Sequence, residues 1–185
     1  MEDRVSEAFA TTPRAGFLPR LARARAAYDG PIRIGRGQTN SQPRTVAAML
    51  DLLDVRAGDR VLDVGAGSGW STALLAALTG PDGEVVGVEL EPSLVEFGRA
   101  NLARSDRPWA RIEAALPGVL GWPDQAPYDR VLVSAEAREL PRELVDQLTP
   151  DGRMVAPVAG TMLLVEGRDG ARVTEHGAYR FVPLR

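Results

Sequence analysis

Ten residues, Val61-Leu62-Asp63-Val64-Gly65-Ala66-Gly67-Ser68-Gly69-Trp70, limit what this chain can become more than any other stretch. An aliphatic run feeds three alternating glycines, and a helix-period segment, Ser71 to Thr79, comes at once behind them. That is the first strand, turn and helix of a nucleotide-binding βαβ unit. Glycines let the backbone turn with φ > 0 and admit a ligand where a Cβ would clash. The helix behind them presents free N–H groups to the same place. The spacing then selects among ligands. A dinucleotide turn reads G-x-G-x-x-G, its last glycine allowing close helix–strand packing. Here the pattern is G-x-G-x-G and Trp70 takes that last place, so the turn suits S-adenosylmethionine better than NAD.

The next strand supports a cofactor unit over a plain connecting loop. Glu84-Val85-Val86-Gly87-Val88-Glu89 reads as a second buried strand and ends in an acid 20 residues after Gly69. A carboxylate there can accept both hydroxyls of a ribose. Glu91 stands beside Pro92 and reads instead as a helix start, since proline suits the first turn. The pattern then continues with a helix over Pro92–Arg104, strands at Ala110–Ala114 and Val131–Val133, and a helix over Pro141–Leu148. Met154–Ala156 is the fifth strand, after a Pro-Asp-Gly turn. Met162–Val165 and the run from Ala171 to Val182 form a hairpin about Arg168-Asp169-Gly170. The expected fold is α/β, a doubly wound Rossmann-like sheet, suited by its glycine turn to S-adenosylmethionine, with a C-terminal antiparallel hairpin. One domain is expected over 1–185. It divides into a helical and loop cap (1–57), a βαβ core (58–158) and the hairpin (159–185).

Before the first glycine turn, Val5 to Pro19 reads as a short helix and then an irregular stretch. Arg20 to Arg25 reads as a solvated helix face, with an anion-binding arm as its alternative. Ile34-Gly35-Arg36-Gly37-Gln38-Thr39-Asn40-Ser41-Gln42-Pro43 is polar and precedes a helix whose Val46, Met49, Leu50 and Leu53 share one face. Ser41 fits two roles, a cap for that helix or a working hydroxyl.

Composition excludes several chemistries. Cysteine is absent, and all 22 basic residues are arginine, so thiolate and Schiff-base nucleophiles are ruled out. A single histidine, His176, cannot make a histidine-rich metal site, and no metal is expected. A net charge of -3 gives no electrostatic case for nucleic acid or an anionic membrane. No run approaches the roughly 20 apolar residues that span a bilayer. Met1-Glu2-Asp3-Arg4 has neither the basic nor the apolar part of a signal peptide, so a cytoplasmic, monomeric protein is the expectation.

Three stretches resemble one family, the protein-L-isoaspartate (D-aspartate) O-methyltransferases. Ile34 to Pro43 is similar to its I-G-x-G-Q-T-I-S-Q-P. Gly121-Trp122-Pro123-Asp124-Gln125-Ala126-Pro127-Tyr128-Asp129 resembles its G-W/L-P-E-x-A-P-Y/F-D. Arg180-Phe181-Val182-Pro183-Leu184 resembles its terminal R-F-V-P-L. The resemblance implies a repair enzyme that methylates the α-carboxylate of L-isoaspartyl residues in damaged proteins or peptides. The ester then closes to a succinimide that hydrolyses partly to normal aspartate. Carried over, Ser41 is the active-site serine beside the acceptor carboxylate, with Gln38 and Thr39 on the same loop. Asp63, Gly65, Ala66, Gly67 and Gly69 would cradle the methionine part of S-adenosylmethionine, and Glu89 its ribose. Asn40 would border the acceptor, and Arg180, Phe181 and Val182 would hold the substrate peptide through main-chain contacts. The chain departs from the family in three places, one of them an N-terminus that begins later than usual and drops a helix family members often carry. Leu116-Pro117-Gly118 stands where a G-D-G triplet contacts adenine, and Asn40 replaces an apolar residue. A divergent short paralogue, acting on another peptide or small-molecule carboxylate, is the alternative enzyme. A binding module that has lost methyl transfer is the alternative from outside catalysis.

Overall fold

The computed structural model describes residues 4–170 and 172–185. The start without a signal, Met1 to Asp3, and Ala171 of the expected last strand lie outside the described residues. A helix α1 (Arg4–Thr11) leads through two 3₁₀ turns into a two-stranded ribbon, β1 (Ile32–Gly35) and β2 (Gln38–Asn40). The ribbon pairs antiparallel, with Ile32 opposite Asn40. Helix α2 (Pro43–Leu53) comes next and buries Val46, Met49, Leu50 and Leu53, the stripe read from its spacing.

The sheet begins with β3 (Arg60–Val64). It continues through α3 (Trp70–Thr79), β4 (Glu84–Glu89), α4 (Pro92–Leu102), β5 (Ala110–Ala114) and β6 (Tyr128–Val133). A four-residue helix α5 (Arg142–Val145) then precedes β7 (Leu148–Val158), β8 (Thr161–Glu166) and β9 (Arg172–Ala178). The spatial order is β5-β4-β3-β6-β7-β8-β9. The strands from β3 to β7 pair in parallel, and β8 and β9 add antiparallel at one edge. Strand order therefore reverses between β3 and β6, and a doubly wound sheet binds its ligand beyond the carboxyl ends at such a reversal.

Side-chain alternation sorts the sheet's two faces. Val61, Val85, Ile112, Leu132 and Val155 point to one, packed under α1, α2, α3 and α4. Leu62, Val86, Val131, Val133 and Met154 point to the other, covered by Leu144 and Val145 of α5 and by Leu120 and Trp122 of a loop. Each fully buried aliphatic side chain of this kind contributes about 1.5–3 kcal/mol.

Three local expectations are corrected. The helix expected over Pro141–Leu148 is confined to Arg142–Val145, because Leu148 is taken by β7 opposite Tyr128. Its neighbour Gln147 instead pins the preceding loop. The amide donates to the carbonyls of Leu120 and Glu143, and its oxygen accepts the Trp122 N–H. Ser41 does not cap α2. Gln42 holds the N-cap position; its side chain caps no backbone N–H there, and its Oε1 accepts the Thr45 hydroxyl at 3.3 Å instead. The last strand stops at Ala178 rather than Val182, and the chain turns back so that Glu136 bonds Val182 and Leu184 through the backbone.

Candidate active site

Beyond the carboxyl ends of β3, β4 and β6 lies a cavity of about 380 Å³, a size that suits a small organic ligand. Gly65 and Gly67 form one wall, Glu89 the floor beside them, and Gln38 and Thr39 of β2 a third side. Leu90, Leu116, Val119 and Leu120 close the far end. Three of these, Leu90, Leu116 and Val119, are more than a third exposed, an unusual state for large aliphatic residues.

The glycine turn is shaped from both sides. Gly67 has φ 53 and its N–H donates to Glu89 Oε2 at 2.8 Å, while Glu89 Oε1 accepts the Glu91 N–H at 2.9 Å. The carboxylate is thus aimed into the cavity by two backbone donors. A Cβ on Gly67 would meet Ile34 Cδ1 at 3.3 Å. Gly69 has a different task. It stands at the start of α3 behind the wall, and a Cβ there would lie 3.0 Å from the Gly98 carbonyl oxygen of α4. Ala66 is buried and borders a small inner cavity of about 40 Å³.

Asp63, expected in the cradle, is placed behind the cavity too. It is fully buried, and its Oδ2 accepts both the Ser71 and Thr72 hydroxyls at 2.7 Å, tying β3 to the first turn of α3. Among the described residues its Oδ1 has no hydrogen-bond partner. Burial lifts its carboxyl to about 6, against the opposing pull of the two hydroxyls.

A second, more open groove adjoins the cavity. Ser41, Gln42 and Thr45 form one bank, and Tyr179, Arg180, Phe181 and Val182 the other. Val182 also lines the cofactor-sized cavity, together with Pro183, Leu184 and Arg185. The tail is therefore a strap between the two spaces. Glu136 Oε2 accepts the Phe181 N–H at 3.2 Å, and Arg185 pairs with Glu91 at 2.7 Å.

Asn40, expected at the acceptor, spends its side chain internally. Its Oδ1 accepts from Arg14 Nε at 2.6 Å and its Nδ2 donates to Ser68 Oγ at 3.1 Å. Sequence reading passes over Arg14 in favour of the Arg20–Arg25 run, which has no buried residue. Arg14 is 6% exposed and also donates to the carbonyls of Tyr28, Gly30, Asn40 and Ser41. Burial lowers its pKa, partly offset by Asp29. Its signal is weak, a lone basic residue in an irregular stretch. Sequence reading misses Ser134 as well, although it directly follows the buried strand Tyr128–Val133.

Comparison with known proteins fits this geometry. The family model of protein-L-isoaspartate(D-aspartate) O-methyltransferase (PCMT) matches residues 1–185. A protein-L-isoaspartate O-methyltransferase of Methanopyrus kandleri is 45% identical over 98% of this chain and 83% of its own length. Among solved structures, a protein-L-isoaspartate O-methyltransferase superposes with TM-score 0.87 at 25% identity, covering all of this chain and 62% of that one. A putative member from Plasmodium falciparum, solved with S-adenosyl-L-homocysteine, superposes with TM-score 0.86 at 25% identity over 100% of this chain and 92% of its own. With a match that runs the whole length of the sequence and a fold shared to its last strand, this chain belongs to the protein-L-isoaspartate (D-aspartate) O-methyltransferase family.

Proposed function

We propose that the chain is an S-adenosylmethionine-dependent carboxyl O-methyltransferase whose acceptor is the α-carboxylate of L-isoaspartyl residues in damaged proteins or peptides. One observation carries this reading: the cavity at the strand reversal opens onto a separate groove lined by the tail, with Thr39 and Ser134 bordering both spaces. Family membership supplies the substrate class.

The residues present fit the cofactor. Gly67, where a Cβ would crowd Ile34, leaves room for close backbone approach, and Gly65 and Gly67 suit its methionine part. Glu89 offers a carboxylate for ribose hydroxyls, and the aliphatic end suits a base. Among the described residues lining this cavity Glu89 is the one side-chain carboxylate, and Leu116 and Gly118 border the aliphatic end. When bound, the cofactor supplies an electrophilic methyl, whose bonding pair returns to sulfur as the acceptor oxygen takes it.

The chain's own task is placement. An α-carboxylate is already ionised near pH 7, so no general base is needed. Ser41, half-buried at the groove, is a neutral donor for that carboxylate, with Thr39 beside it. Arg180, Phe181 and Val182 border the groove where an extended peptide would lie. The walls exclude water from the reacting oxygen, and alignment supplies the rate. The reading also places the protein in the cytoplasm, as a monomer acting on polypeptide rather than nucleic acid. The absence of cysteine and the net charge of -3 support the compartment and the acceptor. Among the described residues no helix is long and apolar enough to cross a membrane.

Tritiated methyl transfer to paired peptides tests this. The isoaspartyl peptide should be labelled and its L-aspartyl twin little or not at all, because a displacement of about 1 Å costs on the order of 10²-fold in rate. Equal labelling of both, or of neither despite measurable binding of S-adenosylhomocysteine, would remove isoaspartyl repair and favour another carboxylate.

A further inference from the structure

Three hydroxyls, those of Thr39, Ser41 and Ser134, line both the small inner cavity and the acceptor groove. Thr39 and Ser134 line the cofactor-sized cavity as well. We propose that Ser134 is a further acceptor-positioning residue, its hydroxyl donating to the carboxylate that Ser41 also holds. This rests on the methyl-transfer reading above.

Backbone geometry fixes Ser134 where the two ligands must meet. Strand order reverses between β3 and β6, and Ser134 is the first residue beyond β6. Its N–H donates to the Val64 carbonyl at 2.8 Å, which extends the parallel ladder one step past the strand. Gly65, the first residue beyond β3, faces it closely. A Cβ on Gly65 would lie 3.7 Å from the Ser134 carbonyl carbon and 3.8 Å from its Cβ. These are the two chain positions that flank the reversal, the place such sheets reserve for ligand. Gly65 yields space there, and Ser134 yields a polar atom.

The hydroxyl is also uncommitted. Among the described residues the Ser134 hydroxyl has no hydrogen-bond partner, a state it shares with Thr39 and Ser41 but not with the hydroxyls deeper in the turn. Ser68 accepts from Asn40, and Ser71 and Thr72 donate to Asp63. A half-buried hydroxyl without a protein partner tends to be satisfied by water or ligand.

Charge favours a hydroxyl over an arginine at this point. Among the described residues the inner cavity between Thr39, Ser41 and Ser134 has no charged side chain on its walls, Arg44 and Arg180 lining only the adjoining groove. A bidentate guanidinium would occupy both carboxylate oxygens and draw off their electron density. Neutral donors orient the anion and leave an oxygen free to react. Two hydroxyls on separate elements, one after β2 and one after β6, also fix a direction that one alone cannot.

Steady-state kinetics with an isoaspartyl peptide test this on Ser134→Ala, Ser134→Thr, Ser41→Ala and the double alanine variant. Calorimetry with S-adenosylhomocysteine and thermal midpoints are measured alongside. Ser134→Ala should lose about tenfold in kcat/KM, the scale of one hydrogen bond to a charged group. Its S-adenosylhomocysteine affinity should stay within about twofold, which separates acceptor placement from cofactor binding. Ser134→Thr, which keeps the hydroxyl, should recover most of the loss. The double variant should fall less than the product of the single effects, because both groups hold one carboxylate. Wild-type kcat/KM in Ser134→Ala would overturn the proposal. So would a matching loss of S-adenosylhomocysteine affinity, an equal loss in Ser134→Thr, or multiplicative effects in the double variant. A wild-type protein that labels no isoaspartyl peptide would instead defeat the underlying functional reading.

Discussion

The two halves of the proposed active site are made of different material. The cofactor-sized cavity is an extension of the core. Gly65, Gly67, Glu89 and Ser134 lie at or just past the ends of strands whose aliphatic residues are buried, and the parallel ladder fixes their spacing. The acceptor groove, Ser134 apart, is assembled from segments outside the parallel sheet. Its banks are the loop after β2 and the returning tail, held by the Arg14 guanidinium and by Glu136. One half depends on hydrophobic packing and backbone pairing. The other depends on a few long-range polar contacts, which are individually smaller and fail one at a time.

Substitutions that strike one half only sharpen this contrast. The largest effect is expected at Gly67. Valine there would place a β-branched side chain at φ 53 and against Ile34. S-adenosylhomocysteine affinity should fall by up to about 100-fold, the scale of an overpacking cost of about 1–3 kcal/mol. Unfolding should remain cooperative, at a cost of about 1–3 kcal/mol for the strained backbone. Unchanged affinity in calorimetry would take the glycine turn out of the site.

A smaller effect is expected on the acceptor side. Ser41→Ala should lower turnover about tenfold or more, as loss of a charge-assisted hydrogen bond would. Its side chain makes no capping bond to α2, so stability should change by less than the roughly 0.5–2 kcal/mol of a lost cap. A stability loss in that range with normal turnover would reverse the assignment and show that the groove is structural at this point.

The smallest effect concerns Asp63, which belongs to neither space. Its folded carboxyl is raised to about 6 by burial, so the folded protein holds a proton that the unfolded chain has released. The stabilising contribution is complete below the unfolded value and is lost as pH rises through about 6. Asp63→Asn should remove this part of the slope. Urea midpoints of the two proteins should converge or cross between acid and neutral pH, and parallel curves would show that Asp63 does not titrate there.

The same contrast decides what the sequence can tell. Periodicity and the glycine spacing carry the parallel sheet, its covering helices and the position of Glu89, because each is set by neighbours within about 30 residues, the size of one βαβ unit. Arg14 is not legible that way. Its importance comes from carbonyls at Tyr28, Gly30, Asn40 and Ser41, gathered only once the ribbon is folded. Asn40 is expected at the acceptor because of its neighbour Ser41, while its side chain bridges two buried partners. Gln147 shortens a helix through bonds to Leu120 and Trp122, more than 20 residues upstream. The resemblance to known motifs fills part of this gap at Ser41 and the tail. It supplies nothing for Ser134, whose relevance lies in strand order rather than in any motif.

On the proposed assignment of the two spaces, the strap from Tyr179 to Arg185 makes the two binding events one thermodynamic system. Its first residues wall the groove, its last wall the cavity, and Val182 belongs to both. Any change in the strap that one ligand brings about is felt by the other. Whatever factor S-adenosylhomocysteine imposes on peptide affinity, the peptide must impose on S-adenosylhomocysteine, in the same direction and to the same extent. Titrations run in both orders around that closed cycle therefore measure how stiffly this strap joins the two halves.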